Sequence, residues 1–275
     1  MSLIPFEIPC VILSGGKSSR MGEDKSLLPF SSSNSLIEFQ FNRLKPYFKD
    51  IYISSKNDKF DFLKDKSKLI IDKNQDIYSP ILALQTILEK FDKVFIITVD
   101  TPFVKIETIE KLINHSNNFD ITIAQTSQKT HNLCGVFSNN LNETIEKMIK
   151  NDIHKINYLV KNSKYQIINF DDEDEFLNIN EKKEYEKALK KEKALGIEDE
   201  INILYVALTR AKNNMIIFKK EKSSVFDFAF FCKLSRYSMK FFKPTWLVAG
   251  FFLSYSVVYG QLICPSFRFP QPLSP

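Results

Sequence analysis

Between residues 8 and 150, short apolar runs alternate with helical stretches of ~10–12 residues, and this alternation restricts the chain to few architectures. The runs at 8–14 (I-P-C-V-I-L-S), 50–55 (D-I-Y-I-S-S), 68–72 (K-L-I-I-D), 93–100 (K-V-F-I-I-T-V-D), 120–125 and 132–137 read as strands. Residues 35–44, 80–91, 105–115 and 139–150 read as helices; Pro80 falls in a first turn, where a missing N–H is harmless. The run at 8–14 is apolar at successive positions, which suits a parallel strand buried on both faces. The expected fold is therefore α/β, a doubly wound, mostly parallel, Rossmann-like sheet with right-handed crossovers. Such sheets bind ligands beyond the carboxyl ends of their strands. Two polar motifs stand at such ends: the loop after Ser14, and Asp100.

The rhythm stops near residue 190. A charged run at 181–193 (E-K-K-E-Y-E-K-A-L-K-K-E-K) reads as a solvated helix or linker, which divides the chain into a domain of residues 1–190 and a tail of residues 191–275. The net charge of +5 belongs wholly to the tail, which carries +6 against −1 for residues 1–190. The main domain thus lacks the basic surplus expected of a nucleic-acid binder. Cys10, Cys134, Cys232 and Cys264 are far apart and form no C-x-x-C, which fits reduced thiols and neither a disulfide framework nor a zinc site. With no secretory signal pattern at the N-terminus, a cytoplasmic location is expected.

The first chemical motif is L-S-G-G-K-S-S-R-M-G-E-D-K at 13–25. Three of the seven glycines, Gly15, Gly16 and Gly22, fall within it. Glycine lets the backbone approach a phosphate and turn N–H groups towards it. Arginine is avoided by this chain, with five against 33 lysines, so Arg20 stands out; a guanidinium grips phosphate through two donors. Lys25 adds a compact positive charge. The bland alternative is a glycine turn with solvated lysines, but glycine, arginine and lysine occur here together after a buried strand. A P-loop is ruled out, because its first glycine would fall at Val11, inside that strand. The second motif, V-D-T-P at 99–102, sets Asp100 at the end of the strongest strand. Mg²⁺ takes one or two carboxylates plus phosphate oxygens, and Asp100 is the best candidate to supply one. Pro102 restricts Thr101 to an extended conformation. Asp72 ends the 68–72 run and also faces the expected crevice. For both aspartates the structural alternative is a cap or turn residue.

Together these motifs resemble the molybdenum cofactor guanylyltransferase family, MobA. That family opens with a pattern like L-A-G-G-x-S-x-R-M-G-x-D-K, has a central strand ending in D-T-P or D-M-P, and carries a late F-x-N-x-N segment, here F-L-N-I-N at 176–180. The resemblance covers residues ~8–190 in order. It implies a nucleotidyltransferase-type fold and a Mg²⁺-dependent transfer of GMP from GTP to the molybdenum–molybdopterin cofactor, with pyrophosphate released. It also implies roles residue by residue. Leu13, Ser14 and Gly15 would border the nucleotide, Arg20 and Lys25 would hold its phosphates, and Asp72 would contact the guanosine. Asp100 would bind the GTP-bound Mg²⁺, with Asn178 and Asn180 on the acceptor side. The implied partners are GTP, the molybdopterin cofactor, and molybdoenzymes or cofactor-delivery proteins. Two departures are visible. Ser79-Pro80-Ile81 replaces the family's Gly-Pro-Leu, and Ser54 to Lys56 stands where the family has an Asn near the end of the second strand, with Asn57 a nearby substitute.

The implied reaction needs in-line placement and neutralised charge rather than covalent help. The attacking phosphate is already ionised, so no general base is required. His115, His131 and His154 are accordingly read as structural or exposed, with His131 placed to touch the acceptor. Other readings remain: a cytidylyl- or sugar nucleotidyltransferase of the same fold, a GTP-binding module without catalysis, and a helicase-related nucleic-acid binder. The last rests on residues 198–212, which resemble the last conserved motif of RecB- and UvrD-like helicases, with Arg210 at the phosphate-reaching position. No P-loop precedes it, so the segment reads as a stray fragment without function here. Residues 246–263 are largely apolar and uncharged but interrupted by Gly250, Gly260 and several polar residues. They read as a poor membrane span, and no membrane partner is expected.

Overall fold

A computed structural model of the chain describes residues 4–15, 22–74 and 77–210, and four short strands beyond them. Contacts divide the chain into Met1–Lys190 and Lys191–Pro275. The first unit is built on a seven-stranded sheet ordered β3-β2-β1-β4-β6-β5-β7. Its strands are β1 (Cys10–Leu13), β2 (Ile51–Ser55), β3 (Leu69–Ile71), β4 (Lys93–Thr98), β5 (Ile121–Gln125), β6 (Thr130–Ser138) and β7 (Tyr165–Asn169). All pairings are parallel except those of β6 with β4 and with β5. The connection 126–129 is too short for a crossover, so β6 must return antiparallel to β5.

Helices cover both faces, as expected of a doubly wound sheet. Cys10 and Ile12 of β1, with Phe95 and Ile97 of β4, pack against α1 (Leu36–Leu44) and α3 (Ile106–Asn114). Val11 and Leu13, with Val94 and Ile96, face α2 (Pro80–Leu88), α4 (Asn142–Lys150) and α5 (Ile156–Lys161). Successive residues of these strands are therefore buried on opposite faces, the period-two consequence of strand geometry. Each fully buried Leu, Ile or Phe contributes about 1.5–3 kcal/mol of hydrophobic stabilisation.

The helix starts follow local chemistry. Ser35 Oγ accepts from Glu38 N at 3.3 Å, while Glu38 reaches back to Asn34 N at 2.9 Å, a variant of the reciprocal cap. Ser79 Oγ accepts from Ile81 N at 3.2 Å, with Pro80 at the first helical position. In the first unit, one strand and one α-helix have no counterpart in the sequence reading, β7 and α5. Several readings ran long: among them, the strand at 8–14 is Cys10–Leu13, the helix at 80–91 ends at Leu88, and the strand at 93–100 ends at Thr98. Asp100 thus lies in a turn closed by Thr101 N donating to Thr98 O at 3.3 Å. The charged run at 181–193 lies in a helix, α6 (Lys182–Arg210), which ends at Arg210. In the second unit, Asn214–Ile216 pairs antiparallel with Phe231–Lys233, and Ser256–Val258 with Gln261–Ile263. The rest of the apolar stretch at 246–263 lies outside the described residues. Among the described residues no helix is long and apolar enough to cross a membrane.

Candidate functional site

The carboxyl ends of β3, β2, β1 and β4 lie on one edge of the sheet. On that edge opens a cleft of about 610 Å³. Leu13 and Gly15 from the β1 end, Asp72 from the β3 end, and Thr98 of β4 line it. Ser54 and Lys56 enter from β2, and Tyr78 and Ser79 from the start of α2.

Asp72 is buried, and one carboxylate oxygen accepts from Ser54 Oγ at 3.0 Å. Burial pushes its pKa above the ordinary aspartate value, with the Ser54 bond and the Lys56 charge opposing. Lys56 Nζ donates to Ile77 O at 2.6 Å and lies 4.2 Å above the Tyr78 ring. Tyr78 and Ile77 are both exposed. The β5–β6 register breaks between Ile123 and Ala124, and this bulge carries Leu133 into the cleft. Bulges beside functional sites commonly re-aim side chains in this way. Gly135 follows at once, and it must be glycine: a Cβ there would stand 2.1 Å from Thr122 O.

The glycine loop ends in an ordered turn. Gly22 has φ 71°, a left-handed conformation that glycine adopts without strain. Asp24 then caps a short 3₁₀ helix, Lys25–Leu27, by accepting from Ser26 N at 3.0 Å and Ser26 Oγ at 2.7 Å. Its other oxygen accepts from Lys59. Burial would raise the Asp24 carboxyl, but the hydrogen bonds from Lys59 and Ser26 outweigh it and hold the group below the usual range. This cap aims Lys25 inward. Lys25 Nζ meets Asp100 Oδ2 at 2.5 Å, Asn180 Oδ1 at 3.1 Å and Ile179 O at 3.3 Å. Ile179 N in turn donates to Asp100 O at 2.9 Å, tying the F-L-N-I-N segment to the end of β4. Residues from three distant parts of the chain therefore meet at one ammonium group.

Asp100 Oδ1, Asn178 Oδ1 and Ser14 Oγ are buried with no hydrogen-bond partner among the described residues. Orphaned buried acceptors are costly unless a ligand or ion satisfies them. A hard cation prefers oxygen ligands, and the unpartnered Asp100 carboxylate oxygen fits Mg²⁺. No group of three or more His, Cys, Asp or Glu suited to a metal occurs among the described residues.

Of the residues singled out from sequence, Leu13, Gly15 and Asp72 share the cleft, and Lys25, Asp100 and Asn180 share the cluster. Asn178 is adjacent to the latter through Ile179. Arg20 lies outside the described residues. Asn57 is exposed and does not line the cleft. His131 stacks on Phe176 at 4.2 Å, and burial, with the Lys129 charge, lowers its pKa to about 4. It is a neutral imidazole at neutral pH. His154 Nδ1 sits 3.1 Å from Ser79 Oγ, and His115 Nδ1 2.8 Å from the Lys111 carbonyl. Cys10 and Cys134 are buried free thiols whose pKa values burial pushes up, that of Cys134 to about 12. They are unreactive core residues.

Residues 10–164 match the family described as the MobA-like NTP transferase domain. The chain belongs to that family. Its relatives include the molybdenum cofactor guanylyltransferase of Campylobacter jejuni subsp. doylei, 40% identical over 188 residues, which cover 66% of this chain and 95% of the relative. The protein of the same name from Helicobacter pylori is 35% identical over 189 residues, covering 66% and 92%. Among solved structures, the molybdopterin-guanine dinucleotide biosynthesis protein A of Archaeoglobus fulgidus superposes with a TM-score of 0.57 at 21% identity, covering 66% of this chain and 97% of that one. This last likeness speaks for the fold of the MobA-like family alone. Within that family frame, Ile77, Tyr78 and Leu133 are cleft residues that sequence reasoning passed over, and Lys56 was noted only as part of Ser54 to Lys56, with no role given to it. None belongs to a motif; the available signal was position, Lys56 just past a strand end and Tyr78 just before a capped helix.

Proposed function

We propose that this chain transfers GMP from GTP to the molybdenum–molybdopterin cofactor, forming the guanine dinucleotide cofactor and releasing pyrophosphate. One observation carries the reading: Lys25 and Asp100, 75 residues apart, meet at 2.5 Å on the edge of the sheet that holds the cleft. The family membership and the guanylyltransferase names of its relatives supply the reaction class.

The base and ribose of GTP lie in the cleft against Leu13 and Gly15, with the Asp72 carboxylate accepting from the guanosine. The triphosphate runs along the glycine loop towards Lys25 and Arg20. A terminal phosphate oxygen of molybdopterin attacks the α-phosphorus, the bond from that phosphorus to the α–β bridging oxygen breaks, and pyrophosphate leaves with the bond electrons. No proton needs to be removed from the attacking group. Mg²⁺, when bound, supplies a Lewis acid and a template for the triphosphate. Asp100 would hold it through Oδ1. Lys25 is a mobile point charge rather than a rigid fork, so it can follow charge from Asp100 to the leaving pyrophosphate. Asn178 and Asn180 face the acceptor, and neutral His131, stacked on Phe176, can touch it. We place the reaction in residues 1–190, with the tail outside the chemistry, in the cytoplasm, and with molybdoenzymes or delivery proteins as recipients of the product.

Pyrophosphate release by the full-length chain, measured with GTP and with CTP, with and without molybdopterin, tests this. GTP-dependent release that requires molybdopterin is expected. A preference for CTP would make the chain a cytidylyltransferase of the same fold, and nucleotide binding without release would make it a non-catalytic module.

A further inference from the structure

Residues 1–190 contain two arginines, and the reaction described above uses only Arg20. The other, Arg43, lies on α1. Its Nη1 donates to Val104 O at 2.8 Å, and its Nε and Nη2 both donate to Gln40 Oε1, at 3.1 and 3.0 Å. Gln40 is fully buried one helical turn earlier and donates through Nε2 to Thr101 O at 3.3 Å. Both carbonyls belong to the connection between β4 and α3, the segment that holds Asp100. This connection has no ladder of its own, and its buried carbonyls need partners from elsewhere. Its far end is held as well: Glu175, also buried, accepts from Lys105 N at 3.1 Å and Thr108 Oγ at 2.7 Å.

We infer that Arg43, acting through Gln40, is a positioning residue that fixes the direction of the Asp100 carboxylate. The inference rests on the role given to Asp100 above. The residue type supports it. Lysine is the default cation of this chain, yet a lysine could not span Gln40 and Val104 with one rigid plane of donors. The guanidinium locks the amide of Gln40, the amide locks Thr101, and Thr101 is the neighbour of Asp100. A group that orients a reacting site changes turnover more than it changes substrate binding, because small misplacements, about 1 Å, cost about 10²-fold in rate.

The test compares full-length wild type, Arg43→Lys and Arg43→Met at a temperature where circular dichroism shows all three folded. GMP transfer is measured over a range of GTP concentrations, and GTP binding is titrated separately in EDTA. The expected result is a kcat lowered by about 10–100-fold in Arg43→Met. Its KM for GTP should stay within about twofold and its metal-free GTP affinity should not change, with Arg43→Lys intermediate. Wild-type kcat in either variant, with only the melting temperature lowered, would make Arg43 a purely structural residue and overturn the inference. A parallel loss of metal-free GTP affinity would overturn it too, since the cleft itself would then have been disturbed. If Arg43→Met does not fold, Arg43→Lys decides by the same criteria. A wild type that transfers no GMP would instead refute the proposed function.

Discussion

At Asp72, stability and binding pull in opposite directions. Burial raises its pKa, so the folded chain holds the proton more readily than the unfolded chain. Stability is therefore lost as pH rises from the unfolded value through the raised folded value, and at neutral pH a buried charge is carried that the fold disfavours. Asp72→Asn keeps an acceptor for Ser54 Oγ and removes that charge. Its melting temperature at pH 7 is expected to equal or exceed that of wild type, with the advantage vanishing below the ordinary aspartate range. Its KM for GTP should rise by about tenfold or more, the worth of a hydrogen bond to a charged group. A clearly lower melting temperature at pH 7, or an unchanged KM, would contradict this account. Residues of this kind were legible in the sequence because scarcity and position marked them: glycines in a glycine-poor chain, aspartates at strand ends. Lys56 and Tyr78 were not. One lysine among 33 carries no signal, and what sets Lys56 apart is a carbonyl and a ring supplied by residues 77 and 78.

Among the elements, the ones that showed in the sequence were those with a complete apolar period. The strands β1 to β6 and the helices α1 to α4 have buried runs or stripes that survive inspection without coordinates. The six-residue α5 is too short to display a stripe, and β7 is an edge strand with one buried position, so neither announced itself. The end of β4 was misjudged because Val99 is apolar and buried like the strand before it, while a turn set by Thr98 and Thr101 ends the strand two residues before Asp100. The bulge in β6 was also invisible, although Gly135 hinted at it. Glycine there is required by the backbone of β5, whose Thr122 carbonyl would lie 2.1 Å from any Cβ. Gly135→Ala is expected to lower stability by about 1–3 kcal/mol, the usual cost of overpacking, and urea unfolding would measure it. An unchanged midpoint would mean that the two strands can separate freely at this point, and the bulge would lose its role in carrying Leu133 to the cleft.

For the molecule as a whole, the chemistry gathers where the parallel strands end. The order of strands sets β1 and β4 side by side in the middle of the sheet, and these two strands deliver Gly15 and Asp100 to the same edge. That convergence was legible from strand ends alone, because a doubly wound sheet has one such edge. The tail was legible only as a change of composition, and its helicase-like stretch contributes the end of α6 without any P-loop upstream. The account depends on Asp100 serving the reaction rather than merely neutralising Lys25. Asp100→Asn separates the two, because the amide keeps an oxygen for the Lys25 ammonium and gives up the charge a magnesium ion needs. The decisive measurement is the rate of pyrophosphate release by full-length Asp100→Asn with GTP, molybdopterin and Mg²⁺, alongside its melting temperature. A rate reduced by about 10³-fold or more in a protein that melts like wild type is the predicted result, and a rate near that of wild type would contradict the account.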